Sequence, residues 1–307
     1  MKLRLITGTR NVPLAEDISM HLGIPLTKRV IKRFMDGEIY VQISDNIRGD
    51  DVFLIQSVSN PVNDSLMEML IIIDALKRAS AGRITAFITY YGYARQDRKA
   101  EAREPITAKL VADMIAKAGA DRVLAIDMHA PQIQGFFNIP VDEVSAIPLF
   151  AKYFAEKNIM DGVVVSPDTG GVKRARSFAS RLHMPLAIID KRRTKHNDAE
   201  VMNIVGDIEG KTAIIIDDII DTGNSIIKAA DELAKTAKEV YICATHPVFS
   251  SGCMEKIISS KAVEVVVSNT IPLDNPDKKV KVINMAKFLS DVINNIHNHK
   301  SVSELFK

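Results

Sequence analysis

Short apolar runs rich in β-branched residues recur along the chain, and most are followed by a longer segment whose apolar positions fall at helical spacing. This alternation restricts the fold more than any other feature. Runs such as Ala213-Ile214-Ile215-Ile216 are apolar at every position, which suits a strand covered on both faces. Strands joined through helices run parallel. The expectation is an α/β protein with two similar domains, each a mainly parallel sheet flanked by helices.

In the first half, residues 3–7, 52–57, 84–89 and 122–126 read as strands. Residues 12–22, 63–79 and 105–118 read as helices, with Asn63 and Thr107 as candidate caps. The stretch 31–43 reads as an extended hairpin that turns at Asp36-Gly37. In the second half, strands are expected over 163–166, 186–190, 212–217, 239–245 and 263–268, and helices over 172–181, 224–237 and 253–259. A chain of 307 residues fits two domains at roughly 100–200 residues each. The boundary falls after the 135–140 loop, giving domains 1–146 and 147–307, with a helical tail from Met285 packing back on the body.

Charge decides little overall, since 40 Lys and Arg nearly balance 38 Asp and Glu. No general affinity for nucleic acid follows, and any preference for phosphate must come from local clusters. Cys243 and Cys253 fit neither a zinc spacing nor a disulfide framework. No apolar run approaches the ~18 residues of a membrane span, and the first ten residues lack the apolar core of a signal peptide. A soluble, cytoplasmic protein with no membrane contact is expected.

The sharpest local pattern begins where the strand Ile214-Ile215-Ile216 ends in Asp217-Asp218 and continues through Ile219-Ile220-Asp221-Thr222-Gly223-Asn224-Ser225. Two adjacent carboxylates at a strand end can accept from vicinal ribose hydroxyls. The small residues that follow can wrap N–H groups around a phosphate at the positive end of a helix. A plain helix cap would explain Asp221 or Thr222 but not the acid pair.

This segment resembles the phosphoribosyl-binding signature shared by type I phosphoribosyltransferases and ribose-phosphate pyrophosphokinases. Four more segments are similar to the pyrophosphokinase family, in its order and across essentially the whole chain. They are Phe34-Met35-Asp36-Gly37-Glu38, Tyr90-Tyr91-Gly92-Tyr93-Ala94-Arg95-Gln96-Asp97-Arg98-Lys99, Asp127-Met128-His129-Ala130-Pro131-Gln132-Ile133-Gln134-Gly135-Phe136-Phe137 and Ser166-Pro167-Asp168-Thr169-Gly170-Gly171-Val172-Lys173-Arg174-Ala175. The resemblance implies Mg2+-dependent transfer of pyrophosphate from ATP to ribose 5-phosphate. Phe34, Asp36, Glu38, Arg95, Gln96, Asp97 and His129 would bind ATP. Asp217, Asp218, Asp221, Thr222, Gly223, Asn224 and Ser225 would bind ribose 5-phosphate, and Asp168, Thr169, Gly170 and Gly171 would form the pyrophosphate loop. His129 and Asp168 would hold Mg2+, although this hard ion prefers oxygen to imidazole. Lys191 and Arg193 match the catalytic cations of a flap.

The family further implies hexamers built from dimers with shared ATP sites, which would place the Phe34 hairpin in a neighbour's site, and regulation by ADP or phosphate. Two departures stand out. Met35 occupies a position where Ser is common, and Gly223-Asn224-Ser225 replaces a common Ala-Gly-Thr, with Asn224 suited to a left-handed backbone. The alternatives are a phosphoribosyltransferase, which does not need the Phe34 and Arg95 segments, and a non-catalytic regulatory subunit.

Overall fold

The computed structural model describes residues 1–192 and 201–306. These residues form two compact units. The first comprises Met1–Ser145, Thr270–Pro272 and the segment from Asn284, and the second comprises Ala146–Asn269 and Leu273–Ile283.

The first unit contains β1 (Leu3–Thr7), α1 (Val12–Leu22), β2 (Arg29–Arg33), β3 (Ile39–Ile43), β4 (Asp51–Ser57), α2 (Val62–Arg78), β5 (Arg83–Tyr90), α3 (Thr107–Ala118), β6 (Arg122–Ile126) and β7 (Val141–Val144). Five strands form a parallel sheet in the order β1-β4-β5-β6-β7. Every residue of β4 is buried, as the apolar run Val52-Phe53-Leu54-Ile55 at its centre requires. In α3 the buried residues are Ala108, Val111, Ala112 and Ile115, the i, i+3, i+4, i+7 stripe of a helix with one face on the core. β2 and β3 pair as a separate antiparallel hairpin, and β3 alternates half-buried and exposed residues. Neither candidate cap acts as one: α2 and α3 start after Pro61 and Ile106, with no side-chain cap bond.

The second unit contains α4 (Ile147–Glu156), β8 (Gly162–Ser166), α5 (Val172–Leu182), β9 (Leu186–Arg192), β10 (Val201–Val205), β11 (Thr212–Ile220), α6 (Asn224–Leu233), β12 (Glu239–Pro247), α7 (Cys253–Ser259), β13 (Glu264–Ser268) and β14 (Val280–Ile283). The sheet order is β10-β9-β8-β11-β12-β13-β14, parallel except for the antiparallel edge strand β10. Its core joins Val163, Val165, Ile215, Ile242, Val265 and Val267 to Ile226, Ala229, Ala230 and Leu233 of α6. Fully burying each Ile or Val contributes about 1.5–3 kcal/mol. Cys243 and Cys253 are both buried free thiols.

The last helix, α8 (Ala286–His297), packs against α1 within the first unit. Asp51, wholly buried, anchors it: Arg83 donates to this carboxylate through Nε at 2.7 Å, and His297 Nδ1 lies 2.7 Å from Asp51 Oδ2. Thr270 joins the same unit because its carbonyl accepts from Asn11 at 2.8 Å and Thr89 at 2.7 Å. Among the described residues no helix is long and apolar enough to cross a membrane.

Candidate functional site

In the second unit the sheet order reverses between β8 and β11. The first connection runs outward from β8 to β9, whereas the chain returns to place β11 on the other side of β8. Ligands of open α/β sheets bind beyond the carboxyl ends of the strands at such a point. The loops that leave these two ends are 167–171 and 221–223, and they lie within the two segments that the sequence singled out.

β11 delivers its acids directly. Asp218 is buried and Asp217 is half-buried, with the Asp218 N–H donating to Asp217 Oδ1 at 2.8 Å. Arg174, on the first turn of α5, lies 3.3 Å from Asp217 and 3.2 Å from Asp218. Burial, then the hydrogen bond and negative charge of Asp218, push Asp217 up to about 8, and Arg174 offsets only part of this. One guanidinium therefore holds two carboxylates that share little room for two full charges.

The chain then turns through Asp221 and Thr222 into α6. The left-handed residue is Gly223, at φ 75°, and Asn224 is already helical. The tolerance of Asn224 for a left-handed backbone is therefore not called on. A Cβ on Gly223 would stand 3.1 Å from Cys253 Sγ, so both backbone angle and space favour glycine here. Gly223, Asn224 and Ser225 open α6 without a side-chain cap, which leaves its first N–H groups for an anion. Ser250 donates to the Asp221 carboxylate, and Lys256 Nζ donates to the Thr222 carbonyl at 3.0 Å.

After β8, Asp168 Oδ1 accepts from Gly171 N–H at 2.8 Å, and Ser166 Oγ donates to the Asp168 carbonyl at 2.7 Å. Asp168, Thr169 and Gly170 are exposed. Among the described residues no group of three or more His, Cys, Asp or Glu is placed to hold a metal ion. An exposed carboxylate such as Asp168 nonetheless fits Mg2+, which commonly takes one or two carboxylates and fills its shell with waters and phosphate oxygens. Lys191 lies on β9 opposite Met202, but its side chain and the whole of Arg193 lie outside the described residues.

In the first unit, the first turn of α2 ties two separate segments. Arg33, at the base of the β2–β3 hairpin, pairs with Asp64 at 3.0 Å, and Tyr93 donates to Asn63. The hairpin turn is set by Phe34 N–H on the Glu38 carbonyl at 2.9 Å and by Glu38 N–H on Asp36 Oδ1 at 3.1 Å. Phe34, Asp36 and Glu38 are exposed, with the Phe34 ring edge-on to Tyr40 at 5.9 Å. Beyond β5, Gly92 passes so near Val58 that a Cβ would fall 2.5 Å from its carbonyl oxygen. Arg95 and Gln96, which follow this crossing, are exposed. Gln132 donates to Asp97, joining that segment to the loop that carries exposed His129, and Met128 N–H on Glu143 at 2.8 Å fixes the same loop.

Sequence reasoning passed over Arg174, Gln132, Ser250 and Lys256. Arg174 had a readable signal, a cation at the first turn of a helix after a glycine pair. Ser250 and Lys256 had none, because their partners lie 29 and 34 residues away.

A switch-point strand ending in paired acids, followed by a small-residue turn into a helix N-terminus, defines a sugar-phosphate-binding α/β protein. Comparison with known proteins narrows the class. The N-terminal domain of ribose phosphate pyrophosphokinase matches residues 3–119, and the phosphoribosyl synthetase-associated domain matches residues 191–307. Ribose-phosphate pyrophosphokinase of Halalkalibacterium halodurans is 56% identical over 307 residues, covering 99% of this chain and 97% of the relative. That of Bacillus caldolyticus is 56% identical over 308 residues, covering 99% of this chain and 98% of the relative. The crystal structure of phosphoribosylpyrophosphate synthetase from Mycobacterium smegmatis matches with a TM-score of 0.92 at 42% identity, covering 97% of this chain and 100% of that one. The chain belongs to the ribose-phosphate pyrophosphokinase family.

Proposed function

We propose that this chain transfers the β,γ-pyrophosphoryl group of ATP to the C1 hydroxyl of ribose 5-phosphate. The hydroxyl oxygen bonds to the β-phosphorus, the bond between that phosphorus and the α-phosphate oxygen breaks, and the hydroxyl proton is released. The products are 5-phospho-α-D-ribose 1-diphosphate and AMP. The observation that carries the proposal is the Asp217–Asp218 pair at the end of β11, held by Arg174 and running into the turn before α6.

Asp217 and Asp218 accept from the vicinal ribose hydroxyls. Asp221, Thr222, Gly223, Asn224 and Ser225 take the 5-phosphate on N–H groups and hydroxyls at the positive end of α6. Asp168, Thr169, Gly170 and Gly171 receive the diphosphate. Phe34 stacks on adenine, with Asp36 and Glu38 as acceptors for its amino group, and Gln96 meets another base edge. Arg95 pairs with phosphate oxygens, while Asp97 and His129 complete the ATP contacts. Lys191 and Arg193 stabilise the charge of the transferring group. Bound at Asp168, Mg2+ would neutralise charge on the ATP phosphates. The exposure of Phe34, Asp36 and Glu38 supports a shared-site assembly, in which the hairpin serves a neighbouring copy in a hexamer built from dimers. ADP or phosphate would then act at subunit contacts.

Phosphorus NMR of the chain with ATP, ribose 5-phosphate and magnesium tests the reaction. Diphosphate resonances on ribose C1 should grow with AMP, and Lys191→Ala should nearly abolish both. ATP that stays intact in every condition would overturn the catalytic reading.

A further inference from the structure

The 221–225 turn carries a carboxylate and no Lys or Arg of its own. A sugar phosphate set on its N–H groups would therefore meet the negative charge of Asp221, against a helix end worth only about half an elementary charge. The balancing features come from the segment after β12. Ser250 donates its hydroxyl to Asp221 and its N–H to the Asp221 carbonyl at 3.1 Å. Buried Cys253 lies against Gly223. Half-buried Lys256 reaches back 34 residues to the Thr222 carbonyl at 3.0 Å.

That last bond has a directional consequence. The Thr222 carbonyl and the Gly223 N–H belong to one planar trans peptide and point opposite ways. An ammonium that fixes the carbonyl on one side therefore aims the N–H to the other, at the opening of α6. It also places a full positive charge one peptide unit from the phosphate-binding N–H groups, where the Coulomb attraction is strongest.

We infer that Lys256 is a positioning residue for the 5-phosphate of ribose 5-phosphate, acting through the Thr222–Gly223 peptide, with Ser250 orienting Asp221 alongside it. The inference rests on the ribose 5-phosphate reading given above and extends it to residues outside the turn. Its signature is selectivity between substrates: loss of Lys256 weakens the sugar phosphate and spares ATP.

Calorimetric titration of the full chain with ribose 5-phosphate, and separately with Mg-ATP, decides the matter. Lys256→Met should weaken ribose 5-phosphate about tenfold, the size expected for one charge-assisted hydrogen bond, and change ATP by less than about twofold. Lys256→Arg should regain most of the loss. Ser250→Ala, at an exposed position, should cost about threefold on the same substrate alone. Unchanged ribose 5-phosphate affinity in Lys256→Met and Ser250→Ala, or an equal loss of both ligands in both variants, would overturn the inference. If wild-type chain binds ribose 5-phosphate yet forms no AMP, only the catalytic reading falls, and the titrations still decide on Lys256.

Discussion

The two units present their chemistry in opposite states of readiness. In the second, Asp217 and Asp218 are held by Arg174, and the following turn is braced by Ser250 and Lys256. In the first, Phe34, Asp36 and Glu38 sit exposed on a hairpin, and Arg95 and Gln96 sit exposed on a loop. A pre-organised pocket loses little freedom on binding, whereas exposed side chains must be ordered by the ligand or by a second copy. On the proposed reading, the fold itself builds the sugar phosphate site, and the nucleotide side chains wait to be completed.

Arg174→Met breaks the built half and should have the largest effect on substrate affinity. Two charge-assisted contacts vanish, so ribose 5-phosphate affinity should fall about 100-fold. Stability should fall by about 2 kcal/mol, because partly buried acids lose their cation. Titration of ribose 5-phosphate and a denaturant melt measure the two effects. Normal affinity would show that Arg174 only neutralises the pair and does not organise the site.

Phe34→Ala tests the waiting half and should separate binding from folding. Phe34 is 55% exposed, so its removal should change the unfolding free energy by less than about 0.5 kcal/mol. The KM for ATP should still rise about tenfold, in line with about 1–3 kcal/mol for a base stacked on an aromatic ring. Co-expressing Phe34→Ala chains with Asp218→Ala chains adds a second readout. Activity above the sum of the separate variants would mean that the hairpin serves a neighbour, and strict additivity would confine it to its own chain.

The parallel sheets were legible because their strands are apolar at every position, as in Ala213–Ile216, and their helices carry stripes such as Ala108, Val111, Ala112 and Ile115. β7, β10 and β14 escaped notice because edge strands are short and mixed, as in Val141-Asp142-Glu143-Val144 and Val280-Lys281-Val282-Ile283. The candidate site was legible where one segment carries it, as at 217–225, and illegible where distant residues complete it. Neither Lys256 on Thr222 nor Gln132 on Asp97 leaves a local pattern, since each bond depends on how separate strand ends converge.

The last prediction concerns ionisation of the acid pair, and it is read in stability rather than in substrate affinity. Burial and Asp218 push Asp217 up to about 8, from an ordinary value of 3.8. Between these values the folded chain retains a proton that the unfolded chain has released. Its contribution to stability is therefore complete below about pH 4 and is lost as pH rises through about 8. Asp217→Asn keeps the shape of the side chain and removes its ionisation. Against wild type, this variant should gain stability steadily from about pH 5 to about pH 8, and the difference should flatten above that. Thermal melts across that range, without substrate or magnesium, read the slope. Parallel melting curves for the two proteins would mean that Asp217 is already ionised and fully compensated by Arg174. The second unit would then hold its site ready through a complete ion pair, and not through a shared proton.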